Sequence, residues 1–337
     1  MITQQLIELG LLFLPVILIA FIATLYVLPK WIRKSKKIGL IWEDMHKIGH
    51  PKNVAGSGGV AVLLGFILSV FLYIGIKTFL FHAETNLVEI FALLTTVILA
   101  AGVGLIDDLL GWKSGGLQKK TRILMMTFIA IPLMVINAGE SILLGIDFGL
   151  FYPLLIVPFA VVGVTTTFNF LAGFNGLESS QGMIVLTALS IVNLTQGNWW
   201  LALIGMAFVT ALFGFWFFNK CPAKVFPGDV LTYSTGAMIV SIAILGNIEK
   251  IAVFFFIPYF IEMILKLRGK LKIQSFGEVQ KDGSLKLRQK GIYGLEHLAI
   301  VLLRAIKPSG KAYEWEVPIV INLFQLAFII AGFLLFL

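Results

Sequence analysis

The sequence predicts an all-α fold, a polytopic integral membrane protein of about ten transmembrane helices with both termini outside. Three observations carry that expectation. Hydrophobic residues make up 58% of the 337 and charged residues only 13%, against about 25% charged in an average soluble domain. The apolar residues fall in blocks, several of them reaching the roughly 20 residues that cross a bilayer at 1.5 Å per residue. The basic residues are confined to alternate loops, as membrane topology demands.

In chain order, the first block, 6–30, is too long for a signal-peptide core. No basic segment precedes it and no small-residue cleavage pattern follows, so it is expected to be a retained span. Further spans are expected at 58–80, 88–106, 122–138, 149–168, 181–196, 199–218, 230–247, 250–267 and 316–337. The fourth, sixth and eighth are short or rich in Thr, Ser and Gly. If the first span runs from outside to inside, the odd-numbered loops face the cytoplasm. Segments 30–57, 107–122, 219–229 and 266–315 then hold 24 of the 26 Lys and Arg residues, and only Lys77 and Lys250 fall outside. The net charge of +8 therefore reports topology rather than affinity for nucleic acid, which is not expected as a partner. The lone cysteine, Cys221, excludes an intramolecular disulfide framework.

External connections such as 197–198 and 248–249 are short, whereas the internal ones are long, polar and Gly-rich, and function is expected there. The chain reads as a single transmembrane catalytic domain, 1–337, whose long cytoplasmic loop, 268–315, exceeds a simple link. Within it, 276–288 has a DG turn between alternating polar and apolar residues and predicts a β-hairpin. The following stretch, 294–306, has apolar residues at helical spacing and predicts an interfacial helix. No internal repeat of domain period is visible.

Four groups of residues could carry chemistry. Asp107 and Asp108 close the third predicted span. Carboxylates are costly at the unfavourable end of a helix dipole unless cations meet them; the plain alternative is a solvated pair of helix-end acids. Asn169 and Asn175, in NFLAGFNGLE, come next. An amide oxygen at Asn169 suits a hard cation, although Asn175–Gly176 alone reads equally as an ordinary turn. Asp229, in FPGD, opens the eighth span. It could cap that helix or hold a metal beside a phosphate. Last are the basic groups Lys47, Lys120, Arg122, Arg268 and Lys270, with His297. Many of these must be topological. Glu262 precedes Lys266 by one turn, which predicts an i,i+4 ion pair.

Carboxylates, amides and cations converging on one membrane face suit a diphosphate and Mg²⁺, an ion that keeps few protein ligands. The site at the water–lipid boundary implies one soluble and one lipid substrate. No P-loop is present, so ATP-driven transport is not expected.

Taken together, DMHK (44–47), LIDDLLG (105–111), NFLAGFNGLE (169–178) and NKCPAKVFPGD (219–229) resemble the polyprenyl-phosphate N-acetylhexosamine-1-phosphate transferases. The resemblance covers nearly the whole chain, and its NxLAGxNGLE form is similar to the archaeal and eukaryotic branch that makes dolichyl-diphospho-N-acetylglucosamine. The bacterial cell-wall branch has Asp where this chain has Ala172 and Asn175. The resemblance implies ten transmembrane helices and a cytoplasm-facing Mg²⁺ site (Mn²⁺ as a substitute) on Asn169 and Asp229. Asp107 and Asp108 match the family's paired acids, one of which has been proposed as a base; either Lys120 or Arg122 matches the basic residue after them. Arg268 and Lys270 lie where relatives place a basic cluster for the diphosphate, and His297 is a weaker match. Two features depart from the pattern. Lys52 or Asn53 stands where many relatives have an acid, and loop 268–315 lacks a paired-His signature.

The function implied is transfer of N-acetylhexosamine-1-phosphate, GlcNAc-1-phosphate first among them, from a UDP-sugar to polyprenyl or dolichyl phosphate, with release of UMP. The alternatives are the same chemistry on another UDP-sugar for cell-wall or capsule precursors and, remotely, a transporter or lipid flippase. The expected location is the cell membrane, multi-pass, with a cytoplasmic active site. A homodimer is neither required nor excluded by the sequence.

Overall fold

Helices occupy nearly all of the apolar blocks in the computed structural model, which describes residues 2–82, 86–143 and 145–337. The first helix, α1 (Ile2–Ile38), continues through the basic segment 30–37 instead of stopping at the expected limit. A short antiparallel pair follows, β1 (Ile41–Glu43) with β2 (Lys52–Ala55), in a loop where no strand was expected. Next come α2 (Gly59–Phe79) and α3 (Leu87–Ser114). α3 outruns its predicted end at 106, so Asp107 and Asp108 lie within the helix rather than closing it. Gly115, at φ 89°, turns the chain out of α3.

The fourth predicted span is two helices, α4 (Lys119–Ile129) and α5 (Ile131–Val135), interrupted ahead of Pro132, which offers no N–H to the preceding turn. Hairpin strands β3 (Ile142–Leu143) and β4 (Ile146–Asp147) lead to a π-helical turn (Tyr152–Ile156) and α6 (Val157–Phe170). α7 (Leu177–Thr195), α8 (Trp199–Asn219) and α9 (Asp229–Leu245) follow. The ninth predicted span is also divided, into α10 (Glu249–Phe255) and α11 (Ile257–Arg268), with Pro258 at the second position of α11. Loop 268–315 contains a hairpin of β5 (Glu278–Val279) and β6 (Leu285–Lys286) and then α12 (Leu295–Ile306). α13 (Glu316–Phe336) closes the fold.

Seven helical segments among the described residues are long and apolar enough to cross a membrane: those in α1, α2, α3, the π turn with α6, α7, α8 and α13. In the outer ones the apolar surface is largely uncovered by protein. Only 22% of the α13 window and 28% of the α1 window are covered by protein, and exposed Leu14, Leu18 and Ile22 line the outside of α1. Such a surface is stable against lipid, not water. The protein is multi-pass.

α9 is the centre of the bundle. Every residue from Val230 to Ile244 is buried, packed mainly against α3 and α6. That position explains its Ser, Thr and Gly content. Ser234, Thr235 and Ser241 return their hydroxyls to carbonyls one turn back at 2.7–2.8 Å, leaving small side chains between close helices. A Cβ on Gly104 of α3 would stand 2.3 Å from the Asp229 carbonyl oxygen, so glycine there lets α3 reach the start of α9.

Two further ties fix the end of the bundle that carries the polar residues. The Phe226 N–H donates to the Ala55 carbonyl at 2.8 Å, and Gly58 and Gly59 N–H groups donate back to Phe226 and Pro227 at 2.9 and 3.0 Å. The FPGD segment is thereby stitched to the first loop. The predicted Glu262–Lys266 pair is present at 3.2 Å, and Glu296 of α12 approaches the same ammonium at 3.8 Å, tying α12 to α11.

Candidate active site

A cleft of about 290 Å³ opens where the first loop, the end of α3, the α6–α7 connection and the start of α9 meet. Asp108, Asn169, Asn175 and Asp229, brought from three distant stretches of sequence, all line it. So do His46, Phe174, Glu178, Phe226, Thr232 and, from loop 268–315, Phe276.

The paired acids have different work. Asp108 faces the N-terminus of α9. Its Oδ1 accepts the Asp229 N–H at 2.8 Å and its Oδ2 the Val230 N–H at 3.4 Å. It therefore caps α9 from a neighbouring helix, a favourable place for a carboxylate. Gly228, at φ 72°, is the residue that permits this, because a Cβ there would lie 2.2 Å from Asp108 Oδ2. Asp229 was a candidate cap in the sequence; it is instead the first helical residue, and the capping carboxylate comes from Asp108. Asp107 is buried and has other partners. Its Oδ2 pairs with Arg122 Nη2 at 2.7 Å and accepts the Tyr233 hydroxyl at 3.3 Å, while Oδ1 accepts the Leu117 N–H at 2.8 Å.

The Asp229 carboxylate lies in the field of Asp107, Asp108 and Arg122. Three carboxylates thus face one guanidinium at this spot among the described residues. The negative excess, with the amide oxygen of Asn169 on the same cleft, is an oxygen-only donor set that fits a hard divalent cation such as Mg²⁺. Asp229 and Asn169 are the candidates to hold it; both oxygens of Asp107 and both of Asp108 already meet protein donors. Asn169 Oδ1 itself accepts the Thr232 hydroxyl at 2.9 Å.

The basic candidates are placed differently. Arg122 is half-buried against Asp107. Lys120, Arg268 and Lys270 are exposed, and Arg268 lies over the Tyr293 ring at 5.6 Å. His297 is buried, its Nδ1 accepting the Tyr293 N–H at 3.2 Å; burial lowers its pKa, with the Lys266 charge adding. None of these five is among the residues lining the cleft. Lys47 is bonded to Glu314 and stands 3.5 Å from Cys221 Sγ. Burial works against its charge, and the contact with Glu314 more than offsets that, so its pKa rises.

Sequence reasoning missed a second cluster. Asp44, His46 and Glu314 are buried, with a potential ligand atom from each within 4.8 Å of the others. The Lys47 ammonium already meets this charge, bonded to Glu314 and 3.9 Å from Asp44. The Gly277 N–H donates to His46 Nε2 at 3.3 Å, which leaves the ring proton on Nδ1, towards Glu314 Oε1 at 3.9 Å. The cluster therefore reads as a polar junction between the first loop and the segment before α13. His46 also stacks on Phe174 at 4.0 Å and meets Phe276 edge-on at 5.5 Å, and Asn175 Nδ2 donates to Asp44 at 3.3 Å. Burial, with the charges of Lys47 and His50, lowers the His46 pKa to about 3, so the ring is neutral at physiological pH. Of these residues the DMHK string and Asn175 gave a signal in the sequence. Glu314, Thr232, Tyr233 and Phe276 gave none.

Residues 90–247, which hold Asp107, Asp108, Asn169, Asn175 and Asp229, match the family described as glycosyl transferase family 4. A Saccharolobus solfataricus protein is 34% identical over 316 residues, covering 91% of this chain and 91% of its own. The chain belongs to that family. The S. solfataricus member is named, provisionally, a UDP-N-acetylglucosamine–dolichyl-phosphate N-acetylglucosaminephosphotransferase. A Dictyostelium discoideum protein bearing that name without qualification is 25% identical over 73% of this chain and 69% of its own. A Streptococcus thermophilus phospho-N-acetylmuramoyl-pentapeptide-transferase is 28% identical over 72% of this chain and 75% of its own. Membership of glycosyl transferase family 4 makes the protein a transferase, and the cleft its candidate catalytic centre.

Proposed function

We propose that this protein transfers GlcNAc-1-phosphate from UDP-GlcNAc to dolichyl phosphate at the cytoplasmic face of the cell membrane, releasing UMP. An oxygen of the lipid phosphate attacks the sugar-linked phosphorus. The bond from that phosphorus to the UMP oxygen breaks, and the electron pair leaves with UMP. The observation that carries the reading is the meeting of Asp108, Asn169 and Asp229 on one cleft at the N-terminus of α9, in a chain 34% identical to the S. solfataricus relative over 91% of its length.

Asn169 and Asp229 are assigned to hold Mg²⁺, which supplies electrostatic stabilisation of the diphosphate when bound. Asp108 keeps the α9 N-terminus in place. Asp107 keeps Arg122 beside Asp229, where a guanidinium can screen charge on the phosphoryl group in flight. Neither acid needs to act as a base, because a phosphate monoester with a second pKa near about 6 is already ionised at pH 7. Asn175, on the wall of the cleft, is assigned to the donor. Lys120, Arg268 and Lys270 form the basic approach to it on the cytoplasmic side, and both termini lie outside.

The test is UMP release from UDP-GlcNAc in detergent with dolichyl phosphate and Mg²⁺. Asp229→Ala is expected to abolish it, and wild-type turnover in that variant would rule out the role assigned to Asp229. A panel of UDP-sugars in the same assay identifies the donor.

A further inference from the structure

Among the serines and threonines of α9, Thr232 is the one that does not follow the pattern of its neighbours. Ser234, Thr235 and Ser241 each donate to a carbonyl four residues back at 2.7–2.8 Å. Thr232 instead has its nearest partner on another helix, Asn169 Oδ1 of α6 at 2.9 Å, with the Asp229 carbonyl more distant at 3.3 Å. Both Thr232 and Asn169 line the cleft, and Thr232 is 2% exposed.

That contact matters because Asn169 is an amide. Its two ends differ: one oxygen with two lone pairs, and one NH₂ that can only repel a cation. A hydroxyl has a single proton. Donated to Oδ1, as here, it favours the rotamer in which the oxygen is presented towards α9, at the turn that Asp229 opens, and it uses only one of that oxygen's two lone pairs. Hydrogen bonds of this kind, one step removed from an ion, fix ligand orientation and change metal affinity by about 10- to 100-fold.

We propose that Thr232 is a positioning residue that orients the Asn169 amide for the divalent cation; this rests on the assignment of Asn169 and Asp229 as its ligands. The rule distinguishes an amide from a carboxylate, because a carboxylate has two equivalent oxygens and needs no such selection.

The experiment is Mn²⁺ binding to the purified full chain in detergent, read by electron paramagnetic resonance without substrate, together with Mg²⁺ titration of UMP release. Thr232→Val, which keeps the shape and removes the hydroxyl, is expected to weaken Mn²⁺ binding about 10-fold or more. It should shift the Mg²⁺ requirement likewise and recover most of kcat at saturating metal. Thr232→Ser is expected to behave as wild type. In an Asn169→Asp background, Thr232→Val is expected to change Mn²⁺ affinity less than twofold. Should Val misfold, Thr232→Ala takes its place, with thermal unfolding as the check. Wild-type Mn²⁺ affinity in Thr232→Val overturns the proposal, and so does an equal loss in the Asn and Asp backgrounds, which would mark a purely structural role. Absence of Mn²⁺ binding in the wild type would instead overturn the ligand assignment beneath it.

Discussion

A neutral histidine stacked between aromatic rings is a liability in acid. His46 is buried against Phe174 and Phe276, and its pKa falls from 6.5 to about 3, chiefly through burial. The unfolded chain takes up a proton near the ordinary value, whereas the folded one does not until about pH 3. The unfolded state therefore binds more protons throughout that window, and stability falls as pH drops through it. At pH 5.5 the loss from this one group is about 1.4 kcal/mol relative to neutral pH. Thermal unfolding in detergent at pH 7.5 and 5.5 should show it. His46→Gln, which keeps an acceptor for the Gly277 N–H, is expected to flatten the dependence, and an unchanged slope would contradict it. At this scale the sequence exposed the residues whose chemistry is unusual for their surroundings, namely Asp107, Asp108, Asn169 and Asp229. It gave His46 only as a letter of the DMHK string and concealed Thr232, because a histidine in a polar loop and a threonine in an apolar helix are each unremarkable until a neighbour from elsewhere in the chain arrives.

The elements α3, α4 and α9 are joined by Asp107. The carboxylate is 2% exposed and Arg122 one-third exposed, and Tyr233 of α9 supplies a further donor. Removing the arginine alone strands a buried charge, which costs about 3 kcal/mol or more. Arg122→Met is accordingly expected to destabilise strongly. Adding Asp107→Asn to it should restore part of the loss, because the stranded charge is gone while Tyr233 and the Leu117 N–H keep an acceptor. Additive losses in that cycle, measured by thermal unfolding, would show that the pair is not coupled. The same elements show where sequence periodicity runs out. Helix identity was legible for every block, yet α3 ran past its apolar stretch through both aspartates to Ser114. Hydropathy registers where lipid ends; the helix ends where Gly115 takes a left-handed turn. The strands β1 and β2 were invisible because their pairing depends on the FPGD segment, far along the chain, to which Ala55 and Gly58 are bonded.

For the molecule as a whole, the count of crossings rests on three segments that fall short of the seven long apolar helices. α9 has 17 residues, about 25 Å at 1.5 Å per residue, and is sheathed by other helices, so lipid thickness does not constrain it directly. α4 with α5 runs from Lys119 to Val135, again about 25 Å against a hydrocarbon core of about 30 Å. It is basic at one end only, and Ile123, Leu124, Phe128, Ile131 and Val135 are all exposed, as a lipid-facing surface requires. α10 with α11 is the third, with Lys266 and Arg268 in its last turn and Glu249 and Lys250 in its first. If all three cross, there are ten spans, and positions 120 and 270 share a face opposite 142 and 247. In a Cys221→Ser background, single cysteines replacing Lys120, Ile142, Asn247 and Lys270 distinguish the cases. A membrane-impermeant maleimide applied to intact cells is expected to label positions 142 and 247 and spare 120 and 270, with all four labelled after lysis. Labelling of 120 together with 142 would mean that the proline-broken pair α4–α5 re-enters on the side from which it came. The positive charges at its start would then lie on the wrong side of the membrane, and the cytoplasmic assignment of the cleft would fall with them.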